Sequence, residues 1–247
     1  MRISIFLQAR MGSRRFPGKM LKTLGGRTMV ELISKRLRQV RNASEVILVT
    51  SEKQENDVLE AEGRRLGLPV FRGAEENTLD RFYRATRQFR PDAIVRVTGD
   101  CPWIDPELID EGIRMFREKD VDFFGNTQAY THPHGMQFEI TTREALERVW
   151  AIQRERFADE QAFRSADMNP GSPILEDSRF RKEYMVHEPN LAHIRITLDY
   201  PEDLELLNKV YELLEAQEMK GSMEDIAQIF QAHPELLEIN KMHNKYL

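Results

Sequence analysis

Three Arg, one Lys, two Gly and one Ser fall within the stretch Gln8-Ala9-Arg10-Met11-Gly12-Ser13-Arg14-Arg15-Phe16-Pro17-Gly18-Lys19, directly after the apolar run Ile3-Ser4-Ile5-Phe6-Leu7. Glycine lets a backbone approach a ligand closely, and bare N–H groups can then cradle an anion. Arg and Lys neutralise the charge that such a loop holds. This is the composition of a polyphosphate site. Two further apolar runs end on carboxylates: Ala93 to Thr98 leads to Gly99-Asp100, and Ile194 to Leu198 leads to Asp199. A carboxylate pair facing a basic anion loop suits a magnesium ion, which prefers one or two protein carboxylates plus substrate phosphates. The chemistry implied is nucleotidyl or phosphoryl transfer, where catalysis is largely positioning and charge neutralisation.

Those three loops must leave one edge of one sheet, and the pattern of elements provides it. Residues 2–7 and 46–50 read as buried strands, 69–71 as a short strand delivering Arg72, and 93–98 as a strand stopping at Gly99. Between them, Met29, Leu32, Ile33, Leu37 and Val40 share one helical face, Asp57 to Leu66 reads as a helix closed by Gly67, and Thr78 to Phe89 as a helix capped by Thr78. A helix from Pro106 to about Lys119 follows. Alternation of this kind predicts an α/β fold, a Rossmann-like, mostly parallel sheet flanked by helices, with ligands at the carboxyl ends of its strands. The pattern changes after Val121. Gln137 to Ile140 reads as an edge or ribbon strand, Glu144 to Arg156 as a helix, and 157–193 as irregular, so that 125–193 reads as an inserted arm. Ile194 to Leu198 returns as a strand. A helix from Pro201 to Glu218 follows, with Asp199 placed to cap it and Asp203 one turn on, at the surface or behind the site. Met223 to Gln231 is a last helix, and 232–247 a polar tail with a Pro-capped turn. No linker or repeat divides residues 1–247, which reads as one domain.

The 247 residues are 40% hydrophobic and 31% charged, with a net charge of −5. That balance disfavours a nucleic-acid binder, so the basic loop is local chemistry. The single cysteine, Cys101, permits no intrachain disulfide and fits a reducing, cytoplasmic compartment. The first residues do not read as a signal peptide, and no apolar run reaches the length of a membrane span. His132 and His134 flank Pro133 with no third ligand nearby and read as a polar turn.

The opening loop, Gln8-Ala9-Arg10-Met11-Gly12-Ser13 with Pro17-Gly18-Lys19, resembles that of the CMP-sugar synthetases, the acylneuraminate and deoxyoctulosonate cytidylyltransferases. The nearest likeness is to the spore-coat-polysaccharide type. Phe71-Arg72-Gly73, Leu79-Asp80-Arg81-Phe82-Tyr83, Arg96-Val97-Thr98-Gly99-Asp100-Cys101-Pro102, Thr197-Leu198-Asp199-Tyr200-Pro201-Glu202-Asp203-Leu204 and His233-Pro234-Glu235-Leu236 with Ile239-Asn240 follow in the family's order. The resemblance implies that Arg10 and Lys19 grip the triphosphate of CTP and that Gly12 and Ser13 wrap it. Gln8, Ala9 and Thr98 complete the nucleotide set. Arg72 would meet the cytosine base, Asp80 the base and ribose segment, and Asp100 and Asp199 would bind Mg2+. On the residues alone Arg72 reads as a salt-bridge partner. The implied reaction is attack of an acceptor, an acidic sugar or a relative of one, on the α-phosphorus, with loss of pyrophosphate, in surface-glycan precursor synthesis. The resemblance also implies a homodimer joined through the arm. Two departures fall in the acceptor region: Gln137 stands for the family's aspartate, and Glu160-Gln161-Ala162-Phe163-Arg164 for its Glu-His-Val-Thr-Pro. They point first to an unusual acceptor and second to lost catalysis. A nucleotide-sugar-dependent glycosyltransferase is an alternative, disfavoured because Gly99-Asp100-Cys101 lacks an Asp-x-Asp. A non-catalytic nucleotide-binding subunit is another.

Overall fold

Strand β1 (Ile3–Gln8) is apolar on both faces, as a parallel strand covered on both sides must be. It leads through the basic loop to a short ribbon, β2 (Thr23–Leu24) against β3 (Arg27–Thr28), and then to helix α1 (Met29–Leu37). The computed structural model describes residues 1–244. Next along the chain come β4 (Glu45–Ser51), α2 (Asp57–Arg65), β5 (Val70–Gly73), α3 (Thr78–Phe89), β6 (Ala93–Thr98), α4 (Pro106–Glu118), β7 (Phe123–Gly125), β8 (Glu139–Thr142), α5 (Arg143–Arg154), α6 (Glu160–Arg164), α7 (Ser172–Glu176), β9 (Lys182–Tyr184), α8 (Pro201–Ala216) and α9 (Met223–Ala232). The main sheet runs β5-β4-β1-β6-β8-β7-β9. β5, β4, β1 and β6 are parallel; β8 is antiparallel to both its neighbours; β9 is parallel to β7.

Side-chain alternation along β1 splits the core in two. Ile3, Ile5 and Leu7 join the apolar faces of α1, α4, α8 and α9, while Phe6 points the other way, to Leu79 and Phe82 of α3 and Leu146 of α5. Strand order reverses between β1 and β6. The crevice that opens there, at the carboxyl ends of both strands, is where open α/β sheets take ligands. The α/β class and the mostly parallel sheet are as the residues predict.

Four local expectations are corrected. The strand at Gln137–Ile140 is β8, and it lies inside the sheet between β6 and β7; alternation reveals one buried face but does not count neighbours. Residues 194–198 form no strand. They run extended and buried, joined by one bridge to the turn at His134, since a turn offers no ladder. Asn77, not Thr78, caps α3, its Oδ1 accepting from Asp80 N at 2.8 Å. Tyr200 is the N-cap residue of α8, and the Asp203 carboxylate closes that turn, accepting from the N–H groups of Asp199 and Tyr200. Within residues 125–193, β8 and β9 belong to the sheet, and α7 packs on the α5 side of the core. The tail forms two 3-10 turns, Pro234–Glu238 and Lys241–His243; its last residues, 245–247, lie outside the described residues. Among the described residues no helix is long and apolar enough to cross a membrane.

Candidate active site

The crevice holds a cavity of about 400 Å³, lined by Gln8, Ala9, Arg10, Ser13, Arg14, Arg15, Lys19 and Met20 on the β1 side, and by Thr98, Gly99, Asp100 and Asp199 opposite, with Glu76 and Asp167 at the rim. The loop after β1 is folded on itself before any ligand arrives. Ser13 N and Gly18 N both donate to Met11 O, Phe16 N donates to Ser13 Oγ, and Met11 N donates to Asn56 Oδ1. Gly18 has φ 71°, a left-handed conformation that lets the chain turn Lys19 inward. Gly99 N donates to Gln8 O at 2.8 Å, and a Cβ on Gly99 would lie 2.7 Å from Met20 and 3.0 Å from Ala9. A side chain there would push the Met20 thioether aside and crowd Ala9, so glycine lets the β6 loop close tightly on the β1 loop.

Lys19 is the hub. Although buried, its ammonium has all three donors engaged: Asp199 Oδ1 at 2.9 Å, Asp100 Oδ2 at 3.1 Å and Leu198 O at 2.7 Å. Arg15 adds a second cation on Asp199, 2.7 Å from Oδ1. Burial alone would raise the Asp100 carboxyl, but Lys19 overrides it and holds the group down at about 2. Burial and Lys19 compete in the same way at Asp199, and the net shift is again downward. For Lys19, burial is outweighed by the two aspartates, so its pKa is raised. Both carboxylates are thus ionised, their charge offset by two cations of the protein itself, Lys19 and Arg15.

The signs fix a pH dependence. Depressed carboxyls contribute stability that is present above 3.8 and lost as pH falls toward about 2. The raised Lys19 contributes stability present below 10.5 and lost as pH rises through its folded pKa. Urea midpoints are therefore expected to show a plateau from about pH 5 to 9 with a fall at each end. The difference between wild type and Lys19→Met should narrow at both extremes.

Gln8, Ala9, Arg10, Ser13, Lys19, Thr98, Asp100 and Asp199 all line the cavity, and Gly12 lies in the same loop. Arg10 is held by Glu75, NH1 to Oε1 at 2.7 Å, and the Gln8 carboxamide by Arg96 at 2.8 Å. Two expected residues are elsewhere. Arg72 turns away from the crevice: Nε donates to Ser51 O, NH2 to Lys53 O, and NH1 pairs with Asp57 and Glu60 of α2. All three guanidinium nitrogens are engaged, tying α2 to the ends of β4 and β5. Asp80 is fully buried, accepting from Trp150 Nε1 at 2.9 Å and Arg84 Nε at 2.8 Å, and so fastens α3 to α5. Asp80→Ala is expected to lower stability by about 1–3 kcal/mol, since it takes the acceptor away from the half-buried Trp150 N–H and from Arg84. CTP binding should stay within about twofold, and calorimetry checks both. Reading the sequence missed Arg15 as the second partner of Asp199, although it sits in the basic loop. It also missed Glu75, Asn56, Arg195 and Asn240, whose contacts depend on chain path. Burial pushes the Cys101 thiol up, so it is no thiolate nucleophile.

A basic loop at a switch point facing two ionised aspartates fits transfer from a nucleoside triphosphate, and comparison with known proteins narrows it. Residues 4–228 match the family model of the cytidylyltransferases. The chain belongs to the cytidylyltransferase family. Such enzymes move CMP from CTP to an acceptor and release pyrophosphate. The spore coat polysaccharide biosynthesis protein SpsF of Bacillus subtilis is 31% identical, over 85% of this chain and 86% of its own. An uncharacterized protein of Methanocaldococcus jannaschii is 30% identical over 97% of this chain and 95% of its own. The solved structure of a cytidylyltransferase from Leptospira borgpetersenii superposes with a TM-score of 0.84 at 26% identity, covering 96% of this chain and 97% of that one. The likeness to the CMP-sugar synthetases, and to their spore-coat type, is borne out.

Beyond the aspartates lies a smaller cavity of about 250 Å³, lined by Cys101, Tyr130, His134, Gln137 and Thr197. It shares Thr98, Asp100 and Asp199 with the nucleotide crevice. Gln137 accepts from Gly135 N at 2.7 Å and donates to Pro133 O at 3.0 Å. An aspartate could not make the second bond, so the departure at Gln137 closes the turn. Gln161 and Arg164 line a third cavity instead, with Glu52, Glu75 and Glu76. The two departures therefore act in different places.

Proposed function

We propose that this cytidylyltransferase joins CMP to a sugar or a related acceptor, acidic sugars first among them, for surface-glycan precursor synthesis, and that it depends on Mg2+. The observation that carries the reading is the Lys19 ammonium between Asp100 and Asp199, beneath a loop shaped for a triphosphate. The donor set fits the metal. Two ionised carboxylates face one space, and among the described residues no group of three or more His, Cys, Asp or Glu side chains gathers to hold a resident ion. Magnesium needs no more than that, because phosphate oxygens and water complete its coordination. Asp100 and Asp199 would hold it, and when bound it supplies neutralisation of phosphate charge.

The chain's own groups do the rest. The N–H groups and cations of 8–19 bind and orient the triphosphate, and Lys19 offsets the charge that accumulates on the leaving pyrophosphate. The cavity at Tyr130, His134, Gln137 and Thr197 adjoins the aspartates, so an acceptor seated there lies next to the reacting phosphate. A homodimer joined through 125–193 is part of the proposal, supported by edge strand β9 and by the exposed Tyr130, Tyr184 and Val186. So is a cytoplasmic site of action, where CTP is available.

The test is product analysis after incubation with CTP, Mg2+ and a panel of sugar acids, sugar phosphates and neutral sugars. Pyrophosphate and a CMP-linked product are expected with at least one acceptor. Release of a nucleoside diphosphate, or CTP binding without turnover across the panel, would contradict the reading.

A further inference from the structure

Asp199 belongs to a bend that follows no strand, so no sheet ladder fixes its position. Its backbone is nevertheless gripped on both sides. Leu198 N donates to Asp100 O at 2.8 Å, and Asp199 N and Tyr200 N donate to Asp203 Oδ2 at 2.8 and 2.9 Å. Asp203 is itself fully buried and is fixed by two partners. Arg195 bonds both of its oxygens, Nε to Oδ1 at 3.1 Å and NH2 to Oδ2 at 2.8 Å, and Asn240 Nδ2 donates to Oδ1 at 2.8 Å. Asn240 Nδ2 also reaches Arg195 O at 3.2 Å. Arg195 is 3% exposed and Asn240 2% exposed, so the node is shielded from water.

Asn240 comes from the C-terminal tail, some forty residues beyond Asp199 and on no element of the nucleotide fold. The tail makes a second contact on the same bend: the His243 ring stacks on Tyr200, centroids 3.7 Å apart and nearly parallel. Tyr200 in turn lies under the guanidinium of Arg15, the cation paired with Asp199. The tail thus touches the residue after Asp199 by stacking and the carboxylate behind it by a hydrogen bond.

We propose that Asn240 is a positioning residue for Asp199, acting through Asp203 and Arg195, so that the C-terminal tail sets the geometry of the metal and nucleotide site. This rests on the functional reading above. Removing Asn240 leaves Asp203 bonded by Arg195 and by two backbone N–H groups, and gives up beyond that only the long 3.2 Å bond to Arg195 O, so the fold stands. What is lost is the constraint on where the Asp203 carboxylate, and with it the Asp199 backbone, sits. Residues that orient a metal ligand from behind typically contribute about 10–100-fold in metal affinity.

The experiment titrates Mn2+ into the full chain at saturating CTP and follows bound ion by electron paramagnetic resonance. It compares wild type, Asn240→Leu and Asn240→Gln. Asn240→Leu is expected to raise the half-saturating Mn2+ concentration at least tenfold, with metal-free CTP affinity within about twofold and a cooperative melt retained. Asn240→Gln, which keeps an amide donor, should recover most of the loss. Where leucine is not accommodated, Asn240→Ser, too short to reach Asp203, carries the same expectation. An unchanged Mn2+ midpoint in the leucine or serine variant, beside a wild type that binds, overturns this inference alone. A wild type that binds no Mn2+ with CTP overturns the functional reading and this inference with it.

Discussion

Replacing Asp100 by Asn is expected to lower kcat by roughly 10²–10³-fold, the loss that follows removal of one preorganised charge contact at a reacting group. The fold should hardly notice. Lys19 keeps Asp199 and Leu198 O, and the new carboxamide can still accept from it. Asp100 is partly open to solvent, so its ion pair contributes about 1 kcal/mol or less to stability. Rates measured as pyrophosphate release, beside a thermal melt, separate the two effects. A near-wild rate in Asp100→Asn would remove that residue from the chemistry.

Lys19→Met should be costly to function and to fold together. The methionine takes away the cation shared by Asp100, Asp199 and Leu198 O, and leaves Asp199 with Arg15 and Asp100 with no direct cation partner. Breaking a buried ion pair by removing one partner costs about 3–5 kcal/mol, and partial solvent access to Asp100 lowers that here to about 2–3 kcal/mol. One of the two carboxyls should then take up a proton at a higher pH than in wild type, because like charges sharing a site cannot both ionise freely. The kcat/KM for CTP should fall by roughly 10³-fold, since the triphosphate loses its most buried counter-charge. Urea unfolding and steady-state kinetics on one preparation check both halves. A variant that loses stability but keeps kcat/KM would make Lys19 a structural cation only.

These effects concentrate where the sequence is most readable. The basic loop, Asp100 and Asp199 each follow an apolar run; the first two leave adjacent strand ends that the sheet topology brings together, and Asp199 reaches them from a buried segment bonded to the Asp100 loop. Arg72 and Asp80 fail on a different point. Both lie beside elements that reach the crevice, but direction decides. Arg72 meets Asp57 and Glu60 on the neighbouring helix, and Asp80 meets Trp150 from a helix some seventy residues away. Neither partner is visible in local spacing. Asp203 shows the same limit from the other side. A carboxylate one turn into a helix reads as surface or as lying behind the site; it lies behind the site, buried because Arg195 and Asn240 arrive from two other segments with the donors it needs. The segment 194–198 was apolar enough for a strand and is as buried as one, but its neighbours are the His134 turn and the Asp100 loop, which cannot form a ladder. Local chemistry thus marks the reacting groups, while the shell that aims them is assembled by the fold.

The most direct measurement is a crystal structure with CTP and Mn2+, read by anomalous scattering. The triphosphate should lie against residues 8–19, with the anomalous peak beside the carboxylates of Asp100 and Asp199 and the Lys19 ammonium having exchanged one of its three present partners for a phosphate oxygen. CTP bound away from this crevice, or a metal peak touching neither aspartate, would contradict it.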